Sequence, residues 1–305
     1  MTSTYLFMTL ASIIWGFQPS TVKWLTQVWS PATITTARYG ILSLIIFAWV
    51  LGKHLPHRRP RGKDWPILAL MGLCAVTLNN TLQFTGLQYT SITNCTLISA
   101  TSPALTGFLA AIFLKERLKR LAWLGIFLSF AGVLLVVTNG SLQVLLNINF
   151  NQGDLLCFAS QTAWAVYSIL GIGIMKHLSP IATTAWSGLF GTIFTAIYAL
   201  QTETLNLTPL STKPLLSFLY LTLLGGVLAQ VIWNVAAKKT GPSQTSIFLN
   251  IIPVAGMLTG YLLFDEAITF TQLGGALAIF SGVYLTTHSR QVGQQLEHWL
   301  HLRHN

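Results

Sequence analysis

The chain has 305 residues, of which 52% are hydrophobic and 8% charged, and carries a formal net charge of +10. Soluble domains hold about 25% charged residues, so a chain this apolar cannot cover itself in water; a soluble enzyme, a disordered chain and a nucleic-acid-binding domain are excluded. The positive charge has to be read by its place relative to apolar runs, not as a sign of phosphate partners.

Apolar runs long enough for a helix to cross the hydrocarbon, about 17–25 residues, predict ten spans: 4–22, 32–52, 66–87, 94–114, 121–138, 155–174, 180–200, 215–236, 244–264 and 271–287. The connections are short, so an all-α polytopic membrane protein without a soluble appendage is expected. Residues 289–305 form a cytoplasmic tail, either a short interfacial helix or disordered. No cleavable signal peptide is expected, because the first span lacks a basic segment ahead of it and a competing small-residue cleavage site.

The first span carries Trp15 near its middle and Gln18 three residues on, with Lys23 just beyond it. Arg38, in the second span, is the one ionised side chain inside the ten. It lies about 10 Å along its helix from Pro31, and it reads either as an anchor for a substrate carboxylate or as a side chain snorkelling to the headgroups. The third span places Asn79 and Gln83 four apart with Asn80 beside them, and the eighth repeats that spacing with Gln230 and Asn234 around Trp233. These amides either line a cavity or join helices through hydrogen bonds. In the fourth span Ser99 and Ser102 flank Pro103, and in the ninth Ser246 and Asn250 precede Pro253. Both prolines are expected to remove a helical hydrogen bond and kink the helix, freeing carbonyls. The sixth span holds Trp164 and Tyr167. Together with Trp15 and Trp233 they would make an aromatic wall for an apolar or cationic substrate, or simply pack. Glu116 and Glu266 sit beside other charged residues, which predicts ion pairs or helix-end contacts for them. The three cysteines, Cys74, Cys95 and Cys157, stand singly, so no disulfide framework or metal site follows.

Of the 17 Lys and Arg, fourteen fall in inside segments and two, Lys23 and Lys213, outside if the N-terminus is cytoplasmic. Both termini are therefore expected in the cytoplasm of a bacterial inner (plasma) membrane protein. A shift of 150 residues superposes Pro103 on Pro253, Glu116 on Glu266, Gly125 on Gly275 and Gly132 on Gly282; a shift of 149 superposes Trp15 on Trp164. Two halves, 1–140 and 150–288, follow, and because each has an odd number of spans they are inverted relative to one another.

The stretches ASIIWGFQPS, SPATITTARYG, TSPALTGFLAAIFLKERL, GDLLCFASQTAWAVYSIL and IIPVAGMLTGYLLFDEAIT resemble the paired EamA repeats of the ten-helix drug/metabolite transporter superfamily, across about 4–287. The resemblance implies a carrier with both termini inside and a central cavity lined by the first, third, fourth, sixth, eighth and ninth helices. Its members carry amino acids, sugars, nucleobases or amphipathic drugs, so it does not name the substrate.

The expectation is a secondary transporter working by alternating access, exporting aromatic or hydrophobic amino acids or related metabolites, with no cofactor. Efflux of amphipathic cations or drugs is the alternative. Its partners are the small-molecule substrate and membrane lipid, and it functions as a monomer or a dimer. An intramembrane enzyme is disfavoured, since no histidine or carboxylate accompanies the buried serines and cysteines. All seven histidines and every Asp and Glu fall outside the ten spans, so uncoupled diffusion or exchange is expected in place of proton coupling.

Overall fold

The structure is a computed structural model that describes residues 2–52, 59–115, 118–147, 150–202, 204–229, 232 and 247–303. Among these, the long α-helices are α1 (Thr2–Leu25), α2 (Pro31–Gly52), α3 (Trp65–Gly72), α4 (Asn79–Tyr89), α5 (Ile92–Ser99), α6 (Ser102–Phe113) and α7 (Arg120–Val137). A short α8 (Leu142–Leu146) links to α9 (Gln152–Ile174), α10 (Pro180–Gln201), α11 (Thr212–Leu219), α12 (Ile251–Phe264) and α13 (Phe270–Arg303). Among the described residues six helical segments are long and apolar enough to cross a membrane: Pro31–Val50, Gly62–Tyr89, Ile92–Phe113, Arg120–Val137, Gln152–Ile174 and Pro180–Gln201. Shorter apolar helices, Thr212–Leu228 and Ile251–Phe264, add to them. The tail is helical to Arg303, continuing α13 past a kink at His288.

Polarity is inside out. Leu44, Phe127, Leu262 and Leu277 are exposed while Ser12, Thr33, Thr77, Ser129 and Thr195 are buried, as expected where lipid replaces water. Thr77, Ser129 and Thr195 donate to carbonyls of their own or adjacent helices, as in Thr195 to Gly191 and Thr77 to Gly191, because an unpaired donor in hydrocarbon costs free energy.

Helices α7 and α13 pack closely. A Cβ added at Gly125 would fall on the Gly282 carbonyl oxygen, and one at Gly132 on that of Gly275. Bare glycine lets the two backbones touch, which is how helices associate when lipid is as apolar as their side chains. The shift of 150 residues converts the pair Gly125–Gly282 into Gly275–Gly132.

Among the described residues four spans are interrupted. A π-helical stretch, Leu73–Leu78, joins α3 to α4, and another, Tyr220–Leu228, continues α11. Such wide turns leave carbonyls unpaired and often mark functional positions. The Ala75 carbonyl accepts the Asn80 side-chain amide at 2.9 Å, and the Gly225 carbonyl, its partner under the same shift, accepts the Trp15 indole N–H at 2.9 Å. The fourth span breaks between Ser99 and Ser102. The expected proline kinks are corrected here. Pro103 and Pro253 stand in the first turns of α6 and α12, where a missing N–H costs no helical bond; the breaks lie ahead of them, at Ala100–Thr101 and at the 3-10 turn Ile247–Asn250.

Candidate functional site

Amide side chains from both halves meet between α4, α5, α6 and α9. Gln83 donates to the Ser99 hydroxyl at 3.0 Å and Gln161 donates to the same oxygen at 3.1 Å. Ser99 passes its own hydrogen to the Cys95 carbonyl, and Ser102 donates to Gln161 Oε1. Asn79 reaches across to the Ser160 carbonyl at 2.9 Å. Asn79, Gln83 and Ser99 were singled out in the sequence; Gln161, on which the cluster turns, was not, although it is a polar residue three positions before Trp164 in an apolar span. The break after Ser99 opens α5 from α6 at this level, and the N-terminal turn of α6 presents Ser102.

Asn80 points elsewhere, toward α2. Its Nδ2 donates to the Tyr39 hydroxyl at 3.1 Å and its Oδ1 receives Arg38 Nη1 at 3.4 Å. Arg38 is only 7% exposed, its Nε has no partner, and its guanidinium carbon lies 5.4 Å from the Tyr39 ring centre. Neither of the ion pairs among the described residues involves it. A guanidinium taken out of water without a counter-ion is costly, so this is a buried cationic position that favours an anion.

Trp15 and Gln18 belong to a third group. The Gln18 amide fills the space that a Cβ at Gly225 would take, and the Tyr220 hydroxyl donates to the Ile14 carbonyl. Trp164 and Tyr167 pair with ring centres 5.1 Å apart, Trp164 being 39% exposed. Trp15 and Trp164 are thus held by different partners. Gln230, Trp233 and Asn234 lie outside the described residues, as does the side chain of Asn250.

At one end of the bundle the loops meet around Glu266. Its carboxylate accepts the backbone N–H of Ile92 at 2.8 Å and of Thr93 at 3.1 Å, and receives Lys23 Nζ at 3.2 Å. This is an acid at a helix N-terminus, where the dipole favours it; Glu116 lies outside the described residues. Beside it, Asp154 accepts from the Thr90 hydroxyl and the Asn94 amide, and Asn94 in turn accepts Gln272 at 2.7 Å. A cavity of about 510 Å³ lies over this network, lined by Lys23, Thr90, Asn94, Glu266 and Gln272 among others. At the opposite end a cavity of about 690 Å³ is walled by Ile67, Phe113, Leu114, Ile169 and Ile174, with Lys63, Asp64 and His177 at its rim. There His177 Nε2 stands 3.0 Å from both oxygens of Asp64.

These carboxylates correct the sequence reading. Helix α9 begins at Gln152, with Asn151 as its N-cap accepting from Gly153, so Asp154 is in its first turn and only 2% exposed. Asp64 closes the turn ahead of α3 and is equally buried. Hydropathy alone trims charged residues off the end of a span, which is why the expected spans stop short of both. The thiols of Cys95 and Cys157, solitary in sequence, touch between α5 and α9.

A model of the EamA-like transporter family matches residues 2–138 and 151–288. The uncharacterized transporter YyaM of Bacillus subtilis is 30% identical over 281 residues, covering 90% of this chain and 90% of that protein. An uncharacterized transporter of Archaeoglobus fulgidus is 30% identical over 285 residues, 93% of this chain and 97% of its own. A probable amino-acid metabolite efflux pump of Salmonella typhimurium is 28% identical over 199 residues, 61% of this chain and 64% of that one. A crystal structure 19% identical in sequence shares the fold, with a TM-score of 0.61 over 94% of this chain and 97% of the other.

Proposed function

Because the chain belongs to the EamA-like transporter family, a family of multi-pass membrane transporters, we propose that it exports amino acids, aromatic or hydrophobic ones above all, by alternating access. The observation that carries this reading is the buried Arg38, unpaired at Nε and flanked by Asn80 and Tyr39. An amino acid supplies the missing carboxylate for the guanidinium, in the paired geometry that Arg favours, and the polar cluster of Gln83, Ser99 and Gln161 supplies donors and acceptors for an ammonium group. The likeness to an amino-acid metabolite efflux pump supports the same class. Ten transmembrane helices in two inverted halves, 1–140 and 150–288, with both termini cytoplasmic, complete the proposal. The exchange symmetry of the glycine pairs and of the two π-helical stretches supports the inverted halves, and the distribution of Lys and Arg supports the orientation.

The test is counterflow of L-phenylalanine in proteoliposomes. Saturable exchange that falls in Arg38→Gln supports the reading. Exchange of a quaternary ammonium dye that survives Arg38→Gln, with no L-phenylalanine exchange, favours drug efflux; the Trp164–Tyr167 pair, with Trp164 exposed and Tyr167 half-buried, is the feature that would serve a cation.

A further inference from the structure

Asp154 is buried to 2% exposure at the start of a membrane-spanning helix, and its known partners, Thr90 and Asn94, are neutral. The elements packed against α9 bring few titratable groups: Tyr89 on α4, Cys95 on α5 and Cys74 in the π-helical stretch, with none on α3 or α6. On α9 itself the next is Cys157, and the neighbouring lysine, Lys23, is taken by Glu266. No cation therefore compensates the ionised carboxylate among the described residues, and ionisation depends on the hydrogen bonds from Thr90 and Asn94 being kept.

Position gives this group something to do. Thr90 and Asn94 line the cavity at the Glu266 end, so a single hydrogen bond separates the carboxyl from that space. Along α9 in the other direction, Cys157 and Gln161 follow at helical spacing on the same face, and Gln161 bonds Ser99, which takes Gln83. The carboxyl stands between a solvent cavity and the central amide cluster.

We propose that Asp154 is a proton-binding site that couples transport to the proton gradient. In one state the carboxyl is held by Thr90 and Asn94 away from water; when the start of α9 parts from the 90–94 segment, cavity water reaches the group and exchanges a proton with it. On reclosure the two hydrogen bonds re-form, and the group exchanges its proton with water admitted from the opposite end, so that one cycle carries a proton across the membrane. The proposal rests on the transport reading above, and its test has one arm that does not.

Infrared difference spectra of the protein in lipid, taken across the physiological pH range, report the protonated-carboxyl band without any substrate. The expected result is a titrating band in wild type that disappears in Asp154→Asn; a spectrum unchanged by that substitution overturns the proposal. The second arm uses L-phenylalanine in proteoliposomes. Wild type should exchange it at equal pH and accumulate it against a pH gradient, Asp154→Asn should exchange it but ignore the gradient, and Asp154→Glu should keep both. A gradient response retained in Asp154→Asn, or missing from wild type, overturns coupling. Absence of any L-phenylalanine exchange overturns the substrate reading, while the spectra still decide whether Asp154 binds a proton.

Discussion

Asn79, Asn80 and Gln83 occupy neighbouring turns of one helix and bond in three directions, to α9, to α2 and to α5. Only the first and last belong to the central cluster; Asn80 orients Arg38 and caps a carbonyl of the π-helical stretch. Arg38→Gln should raise the KM for L-phenylalanine about 10- to 100-fold, the worth of a charge-assisted hydrogen bond. Arg38→Lys should recover only part of it, because an ammonium cannot make the paired contact; counterflow rates against concentration decide both. Gln161→Leu should lower exchange as well, since it strips two serine hydroxyls of their shared partner. The sequence showed which spans hold scarce polar groups, because amides stand out in apolar helices. It could not show that Asn80 turns from the cluster or that Gln161 centres it, since that depends on how the helices rotate against one another. Asp154 escaped for a different reason: a hydropathy window ends where charge begins, whereas this helix starts earlier, at its Asn151 cap.

At the scale of elements, the approach of α7 to α13 tolerates no side chain at Gly125, Gly132, Gly275 or Gly282, because the atoms met are mostly backbone and cannot give way. Gly132→Leu should lower stability by about 1–3 kcal/mol, the usual cost of overpacking, read as a lower unfolding midpoint in detergent. The π-helical stretches call for a gentler test. Trp15→Phe removes the N–H that satisfies the Gly225 carbonyl while keeping an aromatic ring. It should cost about 1 kcal/mol, again as a shifted midpoint. Six of the ten expected spans, from Pro31–Val50 to Pro180–Gln201, were legible to within a few residues, because apolar length is set by the bilayer. The interruptions were not. Pro103 and Pro253 flagged the right places but the wrong geometry, since a proline reads equally as a kink inside a helix or as the opening of a new one.

For the whole molecule, the Glu266 carboxylate ties α1 to the start of α5 at one end of the bundle, through Lys23, Ile92 and Thr93. The proposed alternating access would open this end, so on that reading Glu266→Gln should favour the open form. A cysteine placed at Asn94 should then react about tenfold faster with a membrane-impermeant maleimide than it does with Glu266 intact, which labelling kinetics would measure. The shift of 149 residues that superposes Trp15 on Trp164 places Lys23 on Ile172, so the position matching the lysine of this latch carries no charge. Detailed balance forbids such a one-sided latch from rectifying flow when no gradient is applied. It shows itself in the kinetics instead: substrate arriving from the Glu266 side meets the scarcer form, half-saturates the carrier at a higher concentration, and is matched by a proportionately higher maximal rate, leaving kcat/KM equal in both directions.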